Sequence, residues 1–180
     1  SIAAMLLGSL IFPGDEKAVV YPLVLGAVSI VASIVGTFFV RLSGTAIMRA
    51  LYQGLIVSGI LSAIGFYYVT DMFFKGANLS ILGSNVTSQT VFYASLIGLV
   101  VTLGMVVITE FYTSKGFGSV KSIAQASTTG HGTNVIAGLA VSMKSTLAPV
   151  LLIAGGTLLA YNLAGIYGIA VAAVSMLSMT

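Results

Sequence analysis

The sequence predicts an all-α fold, a polytopic transmembrane helical bundle with about four complete spans and two truncated ones. Three observations carry this. Of the 180 residues, 58% are hydrophobic and only 6% charged, with a mean hydropathy of +1.12. Soluble domains carry about 25% charged residues, so these few could not clothe a soluble surface of this size. The apolar residues also fall in long, almost uncharged runs. Within them apolar and polar residues do not alternate, as they would in the roughly ten-residue strands of a membrane β-barrel.

Residues 1–180 read as one transmembrane region, in the following order. Residues 1–12 form the end of a span, because the apolar run Ile2–Phe12 is shorter than the about 20 residues a crossing needs. Residues 19–40, 51–69 and 91–109 each supply a crossing length. Residues 135–164 are longer than the hydrocarbon requires, so this span tilts or projects, and Pro149 is a natural place for a kink. Residues 166–180 are again too short and read as the start of a further span. Both ends lie inside apolar runs and the first residue is Ser1, so the chain is expected to be an internal piece of a longer polypeptide.

Charge orients the bundle. Arg41 and Arg49 bracket one connection, and Lys115 and Lys121 lie in another, over residues 111–134. The remaining connections carry Lys17, offset by Asp15 and Glu16, and Lys75, near Asp71. Basic residues concentrate in cytoplasmic loops, which puts 42–50 and 111–134 in the cytoplasm. Small residues recur at four-residue spacing, as Gly54, Ser58 and Ser62, as Ala94 and Gly98, and as Gly156, Ala160 and Ala164. Such stripes let helix backbones approach closely and are expected to pack inside the bundle.

Few residues offer chemistry. The chain has no Cys, one His and four acids, which excludes a disulfide framework and a Cys-based zinc site. No basic run exists that would bind nucleic acid. Glu110 ends the third span and is expected at the membrane interface rather than in an ion path. Lys144 reads as a snorkelling residue, with an ion-path role as the alternative. Arg41 and Arg49 anchor helix ends, and Asp15, Glu16 and Asp71 are solvated. His131, in Thr129-Gly-His-Gly-Thr133, could relay protons but stands far from any acid. Gly130 and Gly132 lack the spacing of a phosphate-binding loop, and Thr133 or Asn134 is the expected helix N-cap. Taken alone, these residues make no nucleophile with its base, no paired carboxylates and no metal cluster.

Several long segments carry a resemblance. Thr109-Glu-Phe-Tyr-Thr-Ser114, the run Ser127-Thr-Thr-Gly-His-Gly-Thr-Asn-Val-Ile-Ala-Gly-Leu-Ala140 and Lys144-Ser-Thr resemble the membrane-integral, ion-pumping inorganic pyrophosphatases. Tyr21-Pro-Leu-Val, Gly36-Thr-Phe-Phe-Val-Arg41 and the segment from Gly165-Ile-Tyr-Gly to Ser178 agree with the same family in the same order. The resemblance implies about sixteen helices in two concentric rings. This chain would supply the end of the sixth, the seventh to tenth and the start of the eleventh. It implies pyrophosphate as substrate, several Mg²⁺ ions held by Asp-rich motifs, H⁺ (or Na⁺) as the transported ion, and a homodimer in a bilayer, here the bacterial inner membrane. Those motifs would lie before Ser1 and after Thr180. No catalytic, cofactor-binding or metal residue is therefore assigned within this chain, and the segment alone is expected to be inactive. The family residues that decide between H⁺ and Na⁺, and K⁺ dependence, also lie outside it. The rival readings are a fragment of a secondary transporter without hydrolysis and a small scaffold protein.

Overall fold

A computed structural model describes residues 2–40, 47–74, 79–81, 84–114 and 116–177. Its elements are α1 (Ile2–Ile11), α2 (Glu16–Phe38), α3 (Ile47–Phe74), the strands β1 (Leu79–Ile81) and β2 (Ser84–Val86), α4 (Ser88–Thr113), α5 (Gly118–Ser127), α6 (His131–Ser145) and α7 (Leu147–Met176). Four stretches are long and apolar enough to cross a bilayer, namely Glu16–Phe38, Ala50–Phe74, Ser88–Ser127 and His131–Met176. The molecule is a multi-pass helical membrane protein. Arg41, Lys75, Lys115 and the side chain of Arg49 lie outside the described residues.

α3 and α4 overrun their apolar stretches at both ends, and α2 at its start. α2 starts at Glu16 because the Asp15 carboxylate accepts from the Lys17 amide (3.1 Å) and caps the first turn. Glu16 then sits at the positive end of the helix dipole. A backbone can stay helical after it leaves hydrocarbon, so α3 and α4 carry Asp71 and Glu110 inside the helix. The connection between α3 and α4 holds an antiparallel pair, with Leu79 opposite Val86 and Ile81 opposite Ser84. This small ribbon is an addition to the helical fold that the sequence reading did not contain.

Residues 111–134 differ from a plain loop. α4 runs to Thr113, α5 is a ten-residue helix within the connection, and α6 already begins at His131. The expected N-cap at Thr133 or Asn134 is therefore corrected to Gly130, three or four residues earlier. Gly130 has φ +135°, open to glycine and not to the β-carbon of threonine or asparagine.

Residues 135–164, read as one span, belong to two elements. α6 ends at Ser145, and α7 begins at Leu147. Pro149 has no amide hydrogen, so it suits the first turn of a new helix and cannot continue the old one. α7 is itself broken at Ala164 (φ −140°, ψ 22°) and Gly165 (φ 61°, ψ −149°). A β-carbon on Gly168 would lie 2.5 Å from the Ala160 carbonyl oxygen and 2.8 Å from Ala164 Cβ. Eight residues of straight helix span about 12 Å, so the chain must double back here. Contacts with α4 agree. On the first arm of α7, Gly156 meets Val101, and on the second arm the Met176 carbonyl accepts from Thr102 Oγ1 at 2.9 Å. Positions either side of the break thus return to one level of α4, and α7 is a helical hairpin.

Gly165 needs its glycine for this turn, since φ and ψ lie where a side chain is strained. No atom would touch a β-carbon there. Gly165→Val is expected to cost about 1–3 kcal/mol through the backbone alone. Gly155→Val, equally uncrowded but helical, is the comparison. Denaturant titration of helix content in detergent measures both, and equal losses at the two sites would remove the backbone requirement.

The chain divides into two compact units, residues 1–102 with 156–180, and residues 103–155. In the first unit α1, α2 and α3 pack antiparallel. Gly8 approaches the Ala18 carbonyl, Gly65 approaches Val28, and Gly36 lies against Ser58, with a β-carbon on it falling 2.9 Å from Ser58 Cβ. The three small-residue stripes are internal. Gly54, Ser58 and Ser62 face α2, Gly98 faces the second arm of α7, and Gly156 faces α4. In the second unit Gly104 of α4 packs on Leu152 of α7.

Candidate functional site

Two places concentrate polar groups. The first is the connection from α4 through α5 to α6. Glu110 stands half-buried in the last turn of α4, among hydroxyls that bond back to their own helix: Thr109 to the Met105 carbonyl (2.7 Å) and Thr113 to that of Thr109 (2.7 Å). Phe111 stacks edge-on against Tyr112 and tilts onto Phe117, with ring centroids 5.2 and 5.0 Å apart. α5 leads into Thr128, Thr129 and Gly130, where the chain turns into α6.

The hydroxyls of that turn act as a lock. Thr129 Oγ1 donates to the Ala126 carbonyl (2.7 Å) and lies 2.8 Å from Thr133 Oγ1. Thr133 Oγ1 also lies within bonding distance of the carbonyls of Gly130 (2.8 Å) and Ala126 (3.2 Å). Thr128 Oγ1 donates to the Gln125 carbonyl (2.7 Å). These groups join the end of α5 to the start of α6, which is a structural use of the threonines. His131 is exposed on the first turn of α6. Lys144 is exposed in the last turn of α6, where its charge complements the negative end of the helix dipole.

The second place is the buried end of the first unit. Tyr21 and Thr70 share a hydrogen bond of 2.7 Å, Thr70 Oγ1 donates on to the Phe66 carbonyl (2.6 Å), and Ser88 Oγ donates to the Thr70 carbonyl (3.4 Å). The Tyr21 ring packs edge-on against Phe74 at 5.0 Å. Beside it, Tyr167 Oη donates to the Ala18 carbonyl at 2.8 Å, with Phe12 edge-on to its ring at 5.3 Å. The reason lies four residues on. Pro22 has no amide hydrogen, so the i to i−4 bond that would engage the Ala18 carbonyl cannot form. Ala18, Pro22 and Tyr167 are all buried, and a bare carbonyl inside a membrane costs several kcal/mol. Tyr167 supplies the missing donor from 149 residues away in sequence.

The sequence reading singled out neither Tyr167 nor Thr70. The signal was a proline inside an apolar run, which frees one carbonyl at a known position. What answers that carbonyl is set by packing.

The four acids lie on three helices. Asp15 caps α2, Glu16 is exposed in its first turn, Asp71 is half-buried near the end of α3 and Glu110 sits at the end of α4. Among the described residues no group of three His, Cys, Asp or Glu could hold a metal ion. Magnesium bound with a phosphate substrate uses one or two carboxylates and the substrate's oxygens. Of the four carboxylates, Asp15 is engaged in the cap of α2, which leaves it less available to a metal. The hydrogen bonds at both places hold helices and turns together.

The model of the family described as inorganic H⁺ pyrophosphatase matches residues 1–180. A protein named pyrophosphate-energized proton pump 2 from Mycoplana dimorpha is 46% identical over 97% of this chain and 86% of its own length. A protein of the same name from Rhizobium leguminosarum bv. trifolii is 46% identical over 91% of this chain and 77% of its length. A protein named K⁺-insensitive pyrophosphate-energized proton pump from Methanosarcina mazei is 44% identical over 99% of this chain, which corresponds to 26% of that protein.

Proposed function

The chain belongs to the inorganic H⁺ pyrophosphatase family, and from that premise we propose that it is a membrane segment of a pyrophosphate-energised proton pump. The observation that carries this reading is the match along the whole chain, in a molecule built of membrane-crossing helices. The transporter alternative has no comparable support.

The role of this segment is scaffold. Its hydroxyls and glycines close helix contacts, and the Asp15 carboxylate caps a helix. The Mg²⁺ ions and the carboxylates that hold them belong to other parts of a longer chain, a reading consistent with the 26% share of the Methanosarcina mazei relative. Residues 111–134 face the cytoplasm, supported by the bias of basic residues toward that connection and the one at 42–50. The protein sits in the bacterial inner membrane as a homodimer and moves H⁺.

Inverted membrane vesicles test this. Vesicles carrying the gene product that contains this chain should release phosphate from pyrophosphate in a Mg²⁺-dependent way and acidify their lumen, read by a pH-sensitive dye. The 180 residues expressed alone should insert and release no phosphate above a protein-free control. Hydrolysis without acidification would defeat the pump reading. Mg²⁺-dependent hydrolysis by the 180 residues alone would defeat the scaffold reading.

A further inference from the structure

The chain has eight tyrosines, and four of them are strongly exposed: Tyr67 (57%), Tyr68 (70%), Tyr93 (51%) and Tyr161 (53%). They come from three elements, α3, α4 and the first arm of α7, all within the first unit. They lie at one level. The Tyr67 and Phe92 rings are edge-on at 5.5 Å, which puts Tyr67 of α3 beside Tyr93 of α4. Gly156 meets Val101. From that shared point Tyr161 is five residues along its helix and Tyr93 is eight along α4, toward the same end, or about 8 and 12 Å at 1.5 Å per residue. On these spacings the four residues sit within about one helical turn of one another along the bundle, near the end where the chain turns at 12–15 and 164–165.

The side chains below the band differ in kind. On α3 the exposed residues Ile56, Ile60 and Ile64 form a stripe at four-residue spacing that runs on through Tyr68 to Met72. Val100 on α4 and Leu158 and Leu159 on α7 are likewise exposed, and likewise set back from the tyrosine level. Three isoleucines on α3, a valine on α4 and two leucines on α7 lie to one side of the tyrosines, and rings carrying a hydroxyl then come from all three helices, as at a boundary between hydrocarbon and headgroups. Tyrosine prefers that boundary because its ring is apolar and its hydroxyl is wet.

We propose that Tyr67, Tyr68, Tyr93 and Tyr161 form an interfacial belt that seats this end of the bundle at the headgroup boundary of the bilayer. Phe92 lies between two of them, with ring centroids 5.5 Å from Tyr67 and 6.0 Å from Tyr93. The partner is the glycerol and headgroup zone of phospholipid. The belt rests on the multi-pass membrane reading and is independent of pyrophosphate chemistry, so either can fail alone.

The chain has no tryptophan, so single Trp substitutions report depth without background. Tyr68→Trp, Tyr93→Trp and Tyr161→Trp, each in the 180-residue chain, are reconstituted in phosphatidylcholine vesicles. The lipid carries bromine either near the headgroup or near the end of the acyl chain. At all three sites the shallow bromine should quench at least about twofold more than the deep one, as expected for residues at the interface. Ile60→Trp should show the reverse. The unsubstituted chain provides a measurement free of any variant, since its tyrosine emission should also be quenched more by shallow than by deep bromine. Deep quenching exceeding shallow at any of the three sites overturns the belt. So does the absence of quenching by either lipid, which would mean that protein or water covers these rings.

Discussion

Replacing Gly98 with leucine is expected to prevent the first unit from assembling. Gly98 sits on α4 where the second arm of α7 comes closest, and an added β-carbon alone would overlap the Ala172 carbonyl and Ser175 Oγ. Ser175 can rotate away, but the carbonyl is part of a helix and can retreat only if the helix moves. Moving it separates Thr102 Oγ1 from the Met176 carbonyl, a 2.9 Å bond one turn further along. Overpacking in a well-filled core commonly costs about 1–3 kcal/mol, and a clash with backbone belongs at or above the top of that range. Most proteins are stable by only about 5–15 kcal/mol, so the loss is a large share of the total. The expected result is aggregation in place of a monodisperse peak after extraction in mild detergent. Gly98→Ala should give a smaller loss of the same kind. Gly26→Ala is the control, because a β-carbon there has nothing within 4 Å and alanine favours the helix. If Gly98→Leu extracts and melts like the parent chain, the close approach of α4 and α7 is wrong.

Tyr167→Phe is expected to destabilise the protein by about 1–3 kcal/mol, the cost of leaving a buried acceptor without its donor. The ring would remain against Phe12, so packing is nearly unchanged and the loss reports the hydroxyl. The specific test is the same substitution beside Pro22→Ala. Alanine at this position restores an amide hydrogen, and the Ala18 carbonyl can then be engaged within its own helix. In that background Tyr167→Phe should cost less than half as much, giving a coupling within the range of about 0.5–3 kcal/mol seen for groups in direct contact. Unfolding in mixed micelles with rising denaturing detergent, followed by circular dichroism, measures all four proteins. Equal costs in the Pro22 parent and in the Pro22→Ala background would show that Tyr167 does not serve the carbonyl that proline leaves open.

By itself the sequence determined the class of the molecule, because a bilayer imposes a local rule. Hydrocarbon demands about 20 apolar residues in a row and an internally bonded backbone, and both demands can be read one segment at a time. The small-residue stripes were legible for a similar reason, since a missing side chain is a property of one helix face. Element ends were less legible. Asp15 capping α2, Asp71 and Glu110 inside helices, and α5 within a polar connection depend on caps and turns that hydropathy does not register. Tertiary structure alone decided which groups meet. Gly165 folds α7 back on itself, so Gly156 and Met176 both reach α4 near Val101 and Thr102. Pro22 announced an open carbonyl, but only the packing of α7 against α2 brought Tyr167 to it. The four acids were visible from the start, and the helices carry them at three places, Asp15 and Glu16 at the start of α2, Asp71 late in α3 and Glu110 late in α4. Such pairings join residues far apart along the chain, and their energy depends on distances that exist only after the helices have packed.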